Sequence, residues 1–169
     1  MTELFKKCID VVLKHEGGYT DNPNDLGNWV GGYKVGRLVG TKYGIAGRYF
    51  PDVDIKNLTI EQAKEIYYEY FWKPMRLEGI KDELAVLHIF DYGVNAGRKR
   101  SIRTAQRLAG VTADGIIGPV TTKYINNYYG NFANDFAHAR RIYYEYIASK
   151  RDNYIFLKGW LNRVNNTHF

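Results

Sequence analysis

Cysteine is almost absent from this chain: Cys8 is the only one among 169 residues. One thiol can form neither a disulfide framework nor a thiolate metal cluster. Cys8 falls on the apolar stripe of the first amphipathic segment, so a buried core thiol is expected. Long hydrophobic runs are missing as well. No stretch approaches the about 20 apolar residues of a membrane span, and the opening "MTELFKK" sets acid and base ahead of any apolar run. The expectation is therefore a chain made in the cytoplasm, with no membrane insertion and no cleaved leader. Internal repeats, low-complexity tracts and flexible linkers are also lacking. A length of 169 residues then suits one domain, or a main lobe with a small appendage.

Aromatic residues are plentiful, with 15 Tyr, 8 Phe and 3 Trp. Tyrosine joins an apolar ring to a polar tip, so part of this surplus suits a large, hydroxyl-rich partner such as a polysaccharide and part suits a core. The net charge of +6 and pI near 9.3 imply an anionic partner: nucleic acid, lipid headgroups or an acidic wall polymer.

The first periodic segment, "TELFKKCIDVVLKH", places Leu4, Phe5, Cys8, Ile9, Val12 and Leu13 on one helical stripe, with Thr2 as N-cap and Gly17 as stop. That puts Glu16 in the last turn, where the carbonyl end of the helix opposes a carboxylate by about 0.3–1 kcal/mol. The same field favours the protonated acid, which is the form a general acid needs. A solvated surface glutamate beside Lys14 and His15 is the plain alternative.

Residues 17–44 read as a long glycine-rich loop containing a hairpin, near residues 27–40, that turns at Gly31-Gly32. "LTIEQAKEIYYEYFWKP" follows as a helix with a Thr59/Gln62 capping box and Pro74 as its stop. "KDELAVLHIFDYGVNAG" predicts a central apolar helix closed near Gly97, and "RKRSIRTAQRLAG" a basic amphipathic one. "VTADGIIGPVT" is a turn region. Residues 119–157 predict one long or two consecutive helices, and "KGWLNRV" ends the ordered part. The fold expected is mainly α with one small hairpin.

"HEGGYTDNPND", "TKYGIAG", "IYYEYFWKP", "FDYGVNAG", "AQRLAGVTADGIIGPVT" and "KGWLNRV" occur in this order along nearly the whole chain. Together they resemble the N-acetylmuramidases of glycoside hydrolase family 108, a group that includes phage endolysins and secretion activator proteins. The resemblance implies a lysozyme-like fold with a C-terminal peptidoglycan-binding part: residues 1–97 as catalytic region and 98–169 as a helical binding region packed on it in one compact unit. It also implies that Glu16, in the EGGY motif, is the catalytic acid.

Glycosidases generally need a second carboxylate, and Asp25 supplies one in a loop held by Pro23 and Gly17-Gly18. Thr41, ahead of "KYGI", is a candidate for positioning the attacking water. A Glu, an Asp nine residues on, and then a Thr resemble the active-site arrangement of phage-type lysozymes. The chain departs from the family by extra residues, roughly "NWVGGYKVGRL", between Asp25 and Thr41. Candidate substrate contacts are Tyr19 and Tyr43, which can stack on sugar rings or pack in the core, and Asp91 and Asn95, one helical turn apart, where Asn95 can equally cap the helix. Asp114 is a further candidate, in a turn resembling that of peptidoglycan-binding modules.

The activity implied is cleavage of the β-1,4 bond between N-acetylmuramic acid and N-acetylglucosamine. A lytic transglycosylase or a non-catalytic wall-binding protein are the alternatives. Nucleic-acid binding is disfavoured, because Gly115 and Gly118-Pro119 would break the recognition helix of a helix-turn-helix. Calcium is disfavoured because "DNPND" lacks the EF-hand pattern, so no metal and no cofactor are expected. The expected partners are peptidoglycan glycan strands, reached at the cell wall through a holin or export channel by a monomer.

Overall fold

The structure is a computed structural model that describes residues 1–151 and 154–169. It is mainly helical, with two two-stranded antiparallel sheets. Its contacts divide the chain into one unit of Val12–Tyr67 and another made of Met1–Val11 with Tyr68–Phe169.

The first helix, α1 (Glu3–Lys14), begins as its sequence requires, with the Phe5 amide donating to Thr2 Oγ1 at 3.2 Å. It ends two residues before Glu16. The turn tightens there to i→i−3 bonds, His15 N to Val12 O at 3.0 Å and Glu16 N to Leu13 O at 3.2 Å. Glu16 therefore stands just past the helix rather than in its last turn. Cys8 is fully buried, and burial pushes its thiol up to about 12.

In the Val12–Tyr67 unit, β1 (Trp29–Val30) pairs with β2 (Arg37–Leu38) around a loop through Gly31-Gly32, as expected. A second hairpin was not foreseen: β3 (Thr41–Lys42) with β4 (Ile45–Ala46). Its two-residue turn, Tyr43-Gly44, has φ of 51° and 74°, the left-handed pair that tight hairpins require. The second helix, α2 (Ile60–Tyr67), carries the predicted capping box: Gln62 N donates to Thr59 Oγ1 at 3.2 Å and Thr59 N to Gln62 Oε1 at 2.9 Å.

In the other unit a π-helical segment, Tyr68–Trp72, leads into α3 (Lys73–Met75), and the helical run ends one residue past Pro74, close to the stop expected. The stop comes at Arg76, φ 54°. Phe5, Trp72 and Phe90 pack edge to face, with centroids 5.1–6.0 Å apart. The central helix α4 (Glu83–Ala96), capped by Asp82, buries every residue from Ala85 to Gly93. Gly97, φ 96°, turns the chain into α5 (Arg98–Leu108).

Residues 119–157 form more than the two helices expected: α6 (Pro119–Asn126), α7 (Phe132–Arg151) and the start of α8 (Tyr154–Asn165). The break between α6 and α7 falls at Gly130, whose φ is 119°. Asp152 and Asn153, placed by the sequence in the same helical stretch, lie outside the described residues. "KGWLNRV" belongs to α8. No helix among the described residues is long and apolar enough to cross a membrane.

Candidate active site

The segment after α1 is clipped to the second hairpin by its backbone. Tyr43 N donates to Gly17 O at 3.0 Å, and Thr20 and Thr41 exchange amide bonds at 2.9 and 2.8 Å. This brings the half-buried Glu16 carboxylate against the Tyr43-Gly44 turn. The contact is close enough that a Cβ on Gly44 would lie 2.6 Å from Glu16 Oε2 and 2.5 Å from the Tyr67 hydroxyl. Gly44 thus meets two demands at once, a positive φ and the absence of a side chain. Tyr67, buried, donates its hydroxyl to Tyr43 O at 3.0 Å and fixes the turn from α2.

Asp25 is exposed and begins a 3-10 turn (Leu26–Asn28), its Oδ1 accepting from Gly27 N at 2.8 Å. The same turn carries Asn28, which is fully buried although its segment is mostly exposed. Asn28 Nδ2 donates to Asn22 O at 3.0 Å, and its Oδ1 accepts the Thr41 hydroxyl at 2.6 Å. Its carbonyl accepts from Val39 N at 2.8 Å and Gly40 N at 3.2 Å. Asn28 therefore joins the Asp25 loop to the Thr41 hairpin. With its only hydroxyl proton given to Asn28, Thr41 Oγ1 can meet a further group only as acceptor, the role required to orient a water whose oxygen must attack. Asn28, Gly44 and Tyr67 were not singled out by the sequence. For Gly44 the only local signal was a glycine between two short segments, which marks a turn but not its contact with Glu16. Asn28 had no such signal.

The remaining candidates have other surroundings. Tyr43 stands in the hairpin turn, half-buried, with Lys42 Nζ 5.4 Å above its ring. Tyr19, 37 % exposed, lines a different cavity of about 560 Å³ with Arg37, Leu38 and the 51–56 segment.

Asp91, Asn95 and Asp114 lie in the other unit. Asp91 does not face a cleft: it is fully buried, accepting from Arg140 Nη2 at 2.6 Å and from Arg163 Nη2 and Nε at 2.8 and 3.0 Å. Burial alone would raise its carboxyl, but the Arg163 and Arg140 guanidiniums outweigh that and hold it below the usual carboxylate range. Asn95 is exposed, and its Oδ1 takes the Tyr144 hydroxyl. Asp114 pins its own turn through Gln106 Nε2 at 2.7 Å and Ile116 N at 2.8 Å, and these bonds, led by that of Gln106, lower its carboxyl.

The model of glycosyl hydrolase 108 matches residues 9–97, more than half of the chain and the stretch that holds Glu16, Asp25 and Thr41. The chain belongs to the glycosyl hydrolase 108 family. A second model, described as a predicted peptidoglycan domain, matches residues 100–165 of this family member. Among solved structures it is similar to that described as Brucella abortus SagA, at 26% identity and a TM-score of 0.73, over 96% of this chain and 90% of that one. No curated protein matches it. The protein is a glycoside hydrolase that acts on peptidoglycan, with a mainly α, lysozyme-like fold.

Proposed function

We propose that this hydrolase cleaves the β-1,4 bond from N-acetylmuramic acid to N-acetylglucosamine, with Glu16 as general acid. The observation that carries the assignment is the seating of the Glu16 carboxylate against the side-chain-free Gly44 turn, on the hairpin that also presents Thr41. Glu16 gives its proton to the glycosidic oxygen as the bond to the anomeric carbon breaks. A water held by Thr41 Oγ1 adds to that carbon, and its proton passes to Asp25 in the inverting form of the two-carboxylate scheme, while in the retaining form Asp25 steadies the charge on the sugar. Tyr43, at the turn beside Glu16, offers a ring to a bound sugar. Asp91, Asn95 and Asp114, engaged within the protein, act on the fold rather than on substrate. The functional division proposed is residues 1–97 as catalytic region and 98–169 as wall-binding region, a reading supported by the family models over 9–97 and 100–165.

Mass spectrometry of the products from purified sacculi is the test. Muropeptides with reducing N-acetylmuramic acid ends support the assignment. Ends of 1,6-anhydromuramic acid would make the enzyme a lytic transglycosylase, and reducing N-acetylglucosamine ends would place the cut at the other bond. Delivery to the wall by a holin or export channel, as in phage lysis or secretion, belongs to the same proposal. Cytoplasmic expression in a bacterial host should then lyse cells only when a holin is co-expressed.

A further inference from the structure

Arg98, Lys99, Arg100, Arg103 and Arg107 line one open cavity of about 520 Å³, with Ala96 and Gly97 as its other walls. No acidic side chain is among them. Among the described residues none of these five cations has an ion-pair partner, although exposed Lys6, Lys7 and Lys73 all have one. Five like charges on three turns of one helix repel each other, an arrangement that lowers stability unless something anionic is bound. Two of the guanidiniums also lie near aromatic rings, one of them closely. Arg100 stacks on the Tyr143 ring with its Cζ 4.4 Å from the centroid, and Arg98 lies 6.0 Å from that of Phe71. Stacking through the face leaves the N–H edge of a guanidinium available, and that edge matches the two oxygens of a carboxylate. Gly115, φ 87°, lies beside Arg103: a Cβ there would be 3.5 Å from Arg103 Nε.

We propose that this cavity binds the carboxylates of the peptide stems of peptidoglycan, a second contact on the strand whose sugars are cleaved. The proposal rests on peptidoglycan being the substrate. Carboxylate is preferred over phosphate because the protein acts on peptidoglycan, whose own repeating anions are stem carboxylates. Four of the five cations are arginines, and one of those, Arg100, already lies over an aromatic ring.

The experiment measures pelleting of the protein with sacculi at low temperature, for wild type and for the triple variant Arg98→Gln, Arg100→Gln, Arg103→Gln, with thermal melting to confirm folding. Three polymers are used: intact sacculi, sacculi freed of secondary wall polymers, and glycan strands freed of stem peptides by an amidase, with the lactyl carboxylates so exposed capped as methylamides. The expected result is about tenfold weaker binding of the variant to the first two at low salt, a difference that shrinks as salt screens it over about 8–10 Å. On stem-free strands wild type and variant should bind alike. Equal binding of both proteins to intact sacculi would overturn the proposal, as would a loss that persists on stem-free strands. A loss that vanishes once secondary polymers are removed would assign the cavity to their phosphates. Wild-type binding to duplex DNA tighter than to sacculi would assign it to nucleic acid. A second triple variant, Arg98→Lys with Arg100→Lys and Arg103→Lys, keeps the charge but not the fork. It should recover binding only in part, and full recovery would reduce the site to a diffuse charge. Because binding is read apart from cleavage, this site can fail while hydrolysis stands, and the reverse.

Discussion

Two acidic residues in glycine-flanked motifs, Glu16 and Asp91, have opposite surroundings. Glu16 is half-buried, placed by backbone bonds between its segment and a hairpin whose turn carries no side chain at the contact. Asp91 is fully buried with both oxygens occupied by two guanidiniums. The first arrangement leaves a carboxylate only half-buried, its place set by the chain around it. The second saturates the carboxylate and ties α4 to α7 and α8. Depth of burial, which neither motif announces, is what separates the two carboxylates.

The largest effect should come from Asp91→Asn. Removing one partner of a buried ion pair leaves the others uncompensated, at a cost of about 3–5 kcal/mol. Denaturant melts should show that loss, and a variant as stable as wild type would return Asp91 to the list of substrate contacts. The same cluster sets an acid limit. His88 Nδ1 lies 3.2 Å from Arg140 Nη1, and since arginine only donates, that nitrogen accepts and the ring is neutral. Burial first, then the Arg140 charge, lower His88 from 6.5 to about 4. Between those values the unfolded chain holds more protons, so this contribution is complete above pH 6.5 and is lost as pH falls toward 4. A loss on the order of 3 kcal/mol is expected, and His88→Asn should flatten that part of the stability profile.

On the Glu16 side the effects should fall on rate. Gly44→Ala forces a Cβ between Glu16 and Tyr67 and should lower muropeptide release about a hundredfold, the scale expected when a reacting group is displaced by an ångström. Gly110→Ala is the control. It has a comparable φ of 73° but nothing within 4 Å of the added carbon, so it should cost about 1–2 kcal/mol of stability without a comparable loss of rate. Thr41→Val is expected to be smaller in stability, about 1–3 kcal/mol for the Asn28 oxygen left without its donor. Activity should fall as well, and Thr41→Ser should restore both.

Much of the helical body was legible because its signals are local. The Thr2 cap, the Thr59/Gln62 box and the Gly97 turn each act within a few residues, and the apolar stripe of α1 needs only its own periodicity. The burial of Asp91 was not legible, since its partners Arg140 and Arg163 lie 49 and 72 residues away. The same limit hid Asn28, whose hydroxyl partner is 13 residues on, and the role of Tyr67 at the Tyr43 carbonyl, 24 residues back. Pro74 marked the end of its helical run to within a residue, whereas the π-helical segment ahead of it carried no local signal. At the site the motif marked Glu16, Asp25 and Thr41, whereas the parts that hold them in place emerged only from the fold.

The central claim is that Glu16 supplies the proton, and Glu16→Gln tests it most directly because the side chain keeps its shape and loses only the acid. Release of muropeptides from purified sacculi should fall by about 10²–10⁴-fold, with the melting temperature and sacculus binding unchanged. Release at near wild-type rate by a folded Glu16→Gln protein would contradict the account.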